Sequence, residues 1–201
     1  MEESERHYHH GDLHNEMIRV GLALIAEGGT KAVGLREVAR RVDVSPSAAY
    51  RHFDSKADLL EEIRKRVLQD LFAHLEAALN KHQDEPVGDR IAIICRAYFR
   101  YAVENPTQFQ AAVYEFPISD DRETVSERPL RILKEMAMQI HPPVDDPVQV
   151  SLAVWAAAHG PATLSTFGSL REMPLEKKWA LLETTIDILL KGLGLSQTTR
   201  G

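Results

Sequence analysis

The chain has one cysteine in 201 residues, few aromatics, and no surplus of cations. It also has no apolar run of the roughly 18 residues that a membrane-spanning helix requires. Each shortage excludes something. Cys95 alone cannot form an intrachain disulfide and suits a reducing cytoplasm. Within IAIICRAYF it reads as a buried small hydrophobe in preference to a redox sensor. The net charge of −6 excludes a strongly basic nucleic-acid coat protein. The acidic, His-rich N-terminus is unlike a signal peptide. There is no glycine-rich phosphate loop, and the scattered His, Ser and Asp have no recognised catalytic spacing. Neither an enzyme nor a cofactor is therefore expected. No stretch alternates convincingly with period two, whereas aliphatic and helix-favouring residues dominate, so the expected fold class is all-α.

What is present is concentrated in LREVARRVDVSPSAAYRHFDSKADLL, residues 35–60. Leu35, Val38, Ala39 and Val42 fall on one helical face. Asp43 and Val44 make a turn, after which Ser45 is an N-cap with Pro46 at the first helical position. That second helix is too short to stand alone, because isolated helices below roughly 12–15 residues are marginal. Val44, Ala49 and Phe53 would have to hold it by packing. The face left over carries Ser47, Ala48, Tyr50, Arg51 and His52. This is the outline of a helix-turn-helix, whose second helix enters the DNA major groove. Residues 31–56 hold six cations (Lys31, Arg36, Arg40, Arg41, Arg51, Lys56) against three anions (Glu37, Asp43, Asp54), a local balance of +3. The acidity lies elsewhere, and a modest local charge predicts moderate, salt-sensitive affinity.

The run VSPSAAYRHFDSKADLL resembles the DNA-binding segment of the TetR (tetracycline-repressor-like) transcriptional regulators. Val44-Ser45, Tyr50 to Phe53, and Ser55-Lys56 carry the likeness. Gly34 stands where a Ser or Thr usually opens the first helix, and Asp43 where the turn usually has Gly. Gly caps nearly as well, and Asp tolerates a left-handed turn. The resemblance implies that Tyr50 and Lys56 contact phosphate, while Ser45, Pro46, Ser47, Ala48 and Arg51 lie near base edges, with His52 between the two. Arg36 and Arg41 would flank the DNA backbone, and Gly34 marks a contact position that here lacks a hydroxyl.

Along the chain, residues 1–11 read as a polar, frayed arm. His7, His9, His10 and His14 invite a metal reading, but the tract has no Cys and no second ligand cluster, so no metal is expected. Many members of the family begin with a similar Tyr-His-His-Gly-Asp-Leu run, and an arm with Arg6 could reach DNA. A first helix is expected over 12–28 with Asp12 as its cap. The two helices above follow, then a long helix over 56–82 carrying Leu60, Ile63, Val67, Leu71 and Leu75. Further helices are expected over 88–104, 106–116, from 121 to 140 with an interruption at Pro129, 147–169 with an interruption near Gly160-Pro161, and 174–193. That makes about nine helices in a three-helix head with a helix-turn-helix (about 34–53) and a larger helical body. The boundary is expected inside the long connecting helix, giving a DNA-binding domain at 1–60 and a ligand-binding and dimerisation domain at 61–201.

One recognition helix reads only a few base pairs, so a homodimer that spaces two heads by about 34 Å, or a multiple, is expected. The interface candidates are Leu152, Leu164 and Phe167 on one late helix and Trp179, Leu182, Ile186 and Leu190 on the other; core packing is the alternative for part of this set. WAAAHGPATLSTFG (155–168) resembles the Trp-His-Gly type of regulatory C-terminal domain, through Trp155, His159 and Gly160. Candidates for an apolar effector pocket with polar handles are Tyr98, Phe99, Phe109, Tyr114, Phe116, Met136, Trp155 and His159. The expected function is a cytoplasmic, bacterial-type repressor that binds double-stranded operator DNA and is released by a small-molecule effector. The alternative is a helical protein-binding adaptor without specific DNA binding.

Overall fold

A computed structural model describes the backbone of residues 2–113 and 127–195, and the side chains of 13–113 and 130–195. Among the described residues every regular element is helical: α1 (Glu2–Gly28), a 3-10 turn (Thr30–Ala32), α2 (Leu35–Arg41), α3 (Pro46–Ala49), α4 (Lys56–Asn80), α5 (Val87–Glu104), α6 (Pro106–Val113), α7 (Glu127–Ala137), α8 (Pro147–Thr166) and α9 (Leu175–Gly192). The chain divides into two compact units. One holds Met1–Leu68 with Thr107–Pro117, the other Gln69–Pro106 with Ile118–Gly201.

The first unit is built on apolar residues spaced for helices. Met17, Val20 and Leu24 from α1 meet Leu35, Val38 and Ala39 from α2, with Ala49, Phe53, Leu59, Ile63 and Ala111, all buried. A Cβ at Gly21 would lie 2.5 Å from Cδ1 of Ile63, so α1 and α4 approach as closely as they do because position 21 has no side chain. Gly29, with φ at 69° and ψ at −172°, closes α1 in a positive-φ conformation open essentially to glycine alone.

Three helix limits differ from the sequence reading. α1 begins at Glu2, so Asp12 lies inside it and does not cap it. α7 is helical through Pro129 and ends at Ala137; residues 121–126 of the expected 121–140 helix lie outside the described residues. α8 runs through Gly160 and Pro161 as one helix. The missing N–H of Pro161 costs a bond to the carbonyl four residues back, but Pro161, Ala162 and Ser165 are buried, and packing holds the helix there.

In the second unit α8 packs against α5, α7 and α9, and α9 also packs on α5. Ile91, Cys95, Phe99 and Ala102 of α5 are buried with Met136, Ile140, Val154, Ala158, Leu182 and Ile186. The Arg96 guanidinium donates to both carboxylate oxygens of Glu183, at 2.7 and 2.6 Å, joining α5 to α9. Phe99 meets Trp179 edge-on at 4.8 Å, and Arg100 lies 5.8 Å from the same indole.

Phe53→Ala is expected to destabilise the first unit by about 3–5 kcal/mol, since it removes a fully buried ring; urea unfolding followed by circular dichroism measures it. Burial pushes the Cys95 thiol up to about 12. Native protein at pH 8 should therefore react slowly with a thiol reagent and rapidly only in denaturant. Fast stoichiometric labelling of the native chain would contradict that burial.

Candidate nucleic-acid interface and ligand-binding residues

The helix-turn-helix is assembled from local bonds and one shared core. Asp43 turns the chain with φ at 55°, the left-handed value the sequence anticipates there. The Val44 N–H donates to the Ala39 carbonyl at 3.0 Å and closes the turn. Ser45 Oγ then accepts from the Ala48 N–H at 3.2 Å, capping α3, with Pro46 at its first position. α3 has four residues, but Tyr50 N–H to Pro46 O and Phe53 N–H to Ala49 O, both 3.1 Å, carry helical bonding onward. Ser55 caps α4 by accepting from the Asp58 N–H at 3.1 Å, and Asp58 accepts from the Asp54 N–H at 3.1 Å in return.

Ala49 and Phe53 point inward, which turns the rest of the segment outward. Ser45, Pro46, Ser47, Tyr50, Arg51 and Lys56 are exposed, as is Arg36 on α2; Gly34, Ala48 and His52 are half-buried. Tyr50 is 50% exposed although it is a large aromatic, so its ring is not consumed by the core. Gly34 is the N-cap of α2 in extended conformation, with no side-chain cap bond.

Arg41 is placed otherwise than expected. Its guanidinium donates to both oxygens of Glu27 at 2.6 Å and to Glu37 at 3.0 Å. It acts as a strut between α1 and α2, a poor arrangement for gripping a DNA backbone. Arg40 is likewise bidentate with Glu37, at 2.9 and 2.7 Å. The sequence reading also missed His14, whose ring stacks on Phe53 at 4.7 Å and lies 6.1 Å from that of His52. The one signal available was its register with Met17 on α1.

The pocket candidates do not form one lining. Phe99, Phe109 and Met136 are fully buried in packed surroundings. Phe109 falls in the first compact unit, whereas Tyr98, Phe99, Met136, Trp155 and His159 fall in the second. Tyr114 and Phe116 lie outside the described residues. Three candidates do come together: the Tyr98 hydroxyl is 2.8 Å from Nδ1 of His159, and the Trp155 and His159 rings are 5.0 Å apart. Desolvation lowers the His159 pKa, favouring the neutral imidazole, and raises that of Tyr98.

The interface candidates divide by burial. Leu152 (37% exposed), Trp155 (42%) and Leu164 (41%) face outward on α8. Phe167 is half-buried, and Trp179 is half-buried against Phe99. Leu182, Ile186 and Leu190 are at most 2% exposed, so they are core of their own protomer and leave nothing for a partner to cover. Val148 and Ile188, at 47% and 66%, are outward apolar residues that the sequence reading passed over.

Two family patterns match this chain. "Bacterial regulatory proteins, tetR family" matches residues 17–63, and "Tetracyclin repressor-like, C-terminal domain" matches 91–189. The chain belongs to the tetR family. Among curated relatives of this TetR-family protein, the HTH-type transcriptional repressor KstR2 of Rhodococcus jostii is 35% identical over 57 residues, covering 28% of either chain. The chain spans under half the length of the curated relatives it matches. A Rhodococcus protein with unknown function superposes with a TM-score of 0.75 at 24% identity, covering 94% of this chain and 98% of that one. The regulator FadR from Bacillus subtilis, in complex with stearoyl-CoA, superposes with a TM-score of 0.71 at 15% identity, covering 88% and 97%. At such identities the superpositions carry the fold alone. Among the described residues no helix is long and apolar enough to cross a membrane, and no cluster of three metal-ligating side chains occurs.

Hydrogen bonds from Arg40 and then Arg41 hold the Glu37 carboxyl at about 2, down from 4.5. A depressed carboxylate contributes stability above its unfolded value that is lost as pH falls towards its folded one. Glu37→Gln should therefore flatten the loss of unfolding midpoint between pH of about 4.5 and 2. High salt should shrink the difference between the two proteins, since this network is solvent-exposed.

Proposed function

We propose that this TetR-family protein is a homodimeric, sequence-specific DNA-binding regulator, a repressor whose operator affinity falls when a small molecule binds its C-terminal region. The observation that carries the reading is the outward face of the Ser45–Lys56 segment. It combines an exposed tyrosine hydroxyl, an exposed arginine and small residues on a helix whose other face is core. Small side chains at Ser45, Pro46, Ser47 and Ala48 let the helix sit deep in a major groove. Tyr50 and Lys56 reach phosphate, and Arg51 is long enough for a bidentate contact with guanine. His52 lies between the two kinds of contact, Gly34 lets the start of α2 approach the strand, and Arg36 supplies a further phosphate contact.

The domain assignment that goes with this is 1–60 for DNA binding and 61–201 for effector binding and dimerisation. Leu152, Trp155 and Leu164 are the exposed apolar side chains that α8 offers to a partner, with Phe167 at the helix end. Tyr98 and His159 are the polar handles for an effector. Binding there would favour a body conformation in which two heads no longer match the groove spacing. The role is regulatory and not catalytic, and its place is the cytoplasm, where the DNA is.

The test is fluorescence anisotropy on the DNA upstream of the protein's own gene, with excess unrelated competitor. Binding should survive competitor with two or more protomers per site. Tyr50→Ala should weaken binding to all sequences alike. Arg51→Ala should relax preference at particular base pairs, by about 1–3 kcal/mol of discrimination. Unchanged affinity in both variants would place the recognition helix elsewhere.

A further inference from the structure

The inward face of α1 runs back from Leu24 and Gly21 to Met17, and the next position on that face is His14. Leu24 and Met17 are at most 2% exposed, whereas His14 is half-buried. It therefore stands at the edge of the first unit's core, where the apolar stripe gives way to the surface. One flat face of its ring lies on Phe53, with centroids 4.7 Å apart and planes 19° from parallel. The same ring lies 6.1 Å from that of His52, at an interplanar angle of 47°. His52 belongs to the outward set of the recognition segment, beside the exposed Tyr50 and Arg51. The segment's own bonding fixes the backbone there, since the His52 N–H donates to the Ala49 carbonyl at 3.0 Å. It does not fix the ring, because the outer torsion of a histidine is broad and backbone geometry leaves its direction open. Packing on Phe53 accounts for a ring at position 14 but not for the second contact, which is made to a residue of the outward set.

We propose that His14 is a positioning residue for DNA reading: from α1 it holds the ring of His52 in the direction that meets DNA. The inference rests on the DNA-binding role proposed above for the recognition segment. A helix of four residues cannot orient its outward side chains through its own bonding, whereas α1, with 27 residues, is a long support. Attraction between aromatic rings is directional, so the role requires a flat ring at position 14 but not an ionisable one. No covalent step is involved.

The experiment is a double-mutant cycle on the full chain, read by fluorescence anisotropy on DNA that the unsubstituted protein selects from a random pool. His14→Ala should weaken binding about three- to tenfold. His14→Phe, which keeps a flat ring, should stay within about twofold of the unsubstituted protein. In a His52→Ala background, His14→Ala should cost less than about twofold, because the ring it positions is gone. A role confined to packing on Phe53 would give the same loss in both backgrounds and would overturn the proposal. So would unchanged binding in His14→Ala, or a loss that His14→Phe fails to restore. His14→Leu, which fills the space without a ring, takes the place of His14→Ala if circular dichroism shows that variant to be unfolded. A measurement without DNA tests the contact by itself. The His52 ring-proton NMR signal, assigned by its absence in His52→Ala, should shift in His14→Ala, and a signal that stays in place overturns the proposal. Failure of the unsubstituted chain to select any sequence overturns the DNA-binding role, and the positioning role with it.

Discussion

The burial of Ala49 and Phe53 is the constraint on which the recognition segment depends. A four-residue helix has almost no hydrogen bonds of its own, and helix formation that short is unfavourable in water. Its shape is imposed from below by Phe53, fully buried and stacked by His14, and from its start by the Ser45 cap. Because those side chains are committed inward, the outward side is fixed as well: Ser47, Tyr50 and Arg51 have no other surface to occupy. The outward arrangement of Ser47, Tyr50 and Arg51 is thus a consequence of core packing, and a loss of packing would be felt there before any of them was changed.

Charge is distributed on the same logic. A chain of net charge −6 approaches a polyanion only if its cations are local and available. The acidic residues of the head take Arg40 and Arg41 out of circulation through Glu37 and Glu27. Arg36, Arg51 and Lys56 are exposed and free of ion pairs among the described residues. A few available cations favour modest, salt-sensitive attraction to a polyanion.

Much of this was legible in the sequence, for identifiable reasons. Ser45-Pro46 announces a helix start because both residues act locally, and Asp43 marks a left-handed turn by its own backbone preference. The regular spacing of Ile63, Val67, Leu71 and Leu75 gave α4 to within two residues of its end. What the sequence could not convey was pairing at a distance. Arg41 looks like any exposed cation until Glu27, 14 residues away, is placed against it. Leu182, Ile186 and Leu190 form an apolar stripe whether the surface they meet is α5 and α8 or a second protomer, since hydrophobicity does not name its partner. Pro161 signals a break by its missing N–H, yet it sits where packing outweighs one lost hydrogen bond. The Tyr98–His159 bond joins residues 61 apart, and no local pattern announces it.

The central claim is that α3 reads a major groove, in two copies on one face of DNA. Guanine-methylation protection, on DNA that the protein itself selects from a random pool, addresses it directly. The account predicts two clusters of protected major-groove guanines, related by a dyad and separated by about one helical turn or a multiple of it. Protection confined to the minor groove, or the absence of any selected sequence, would contradict it.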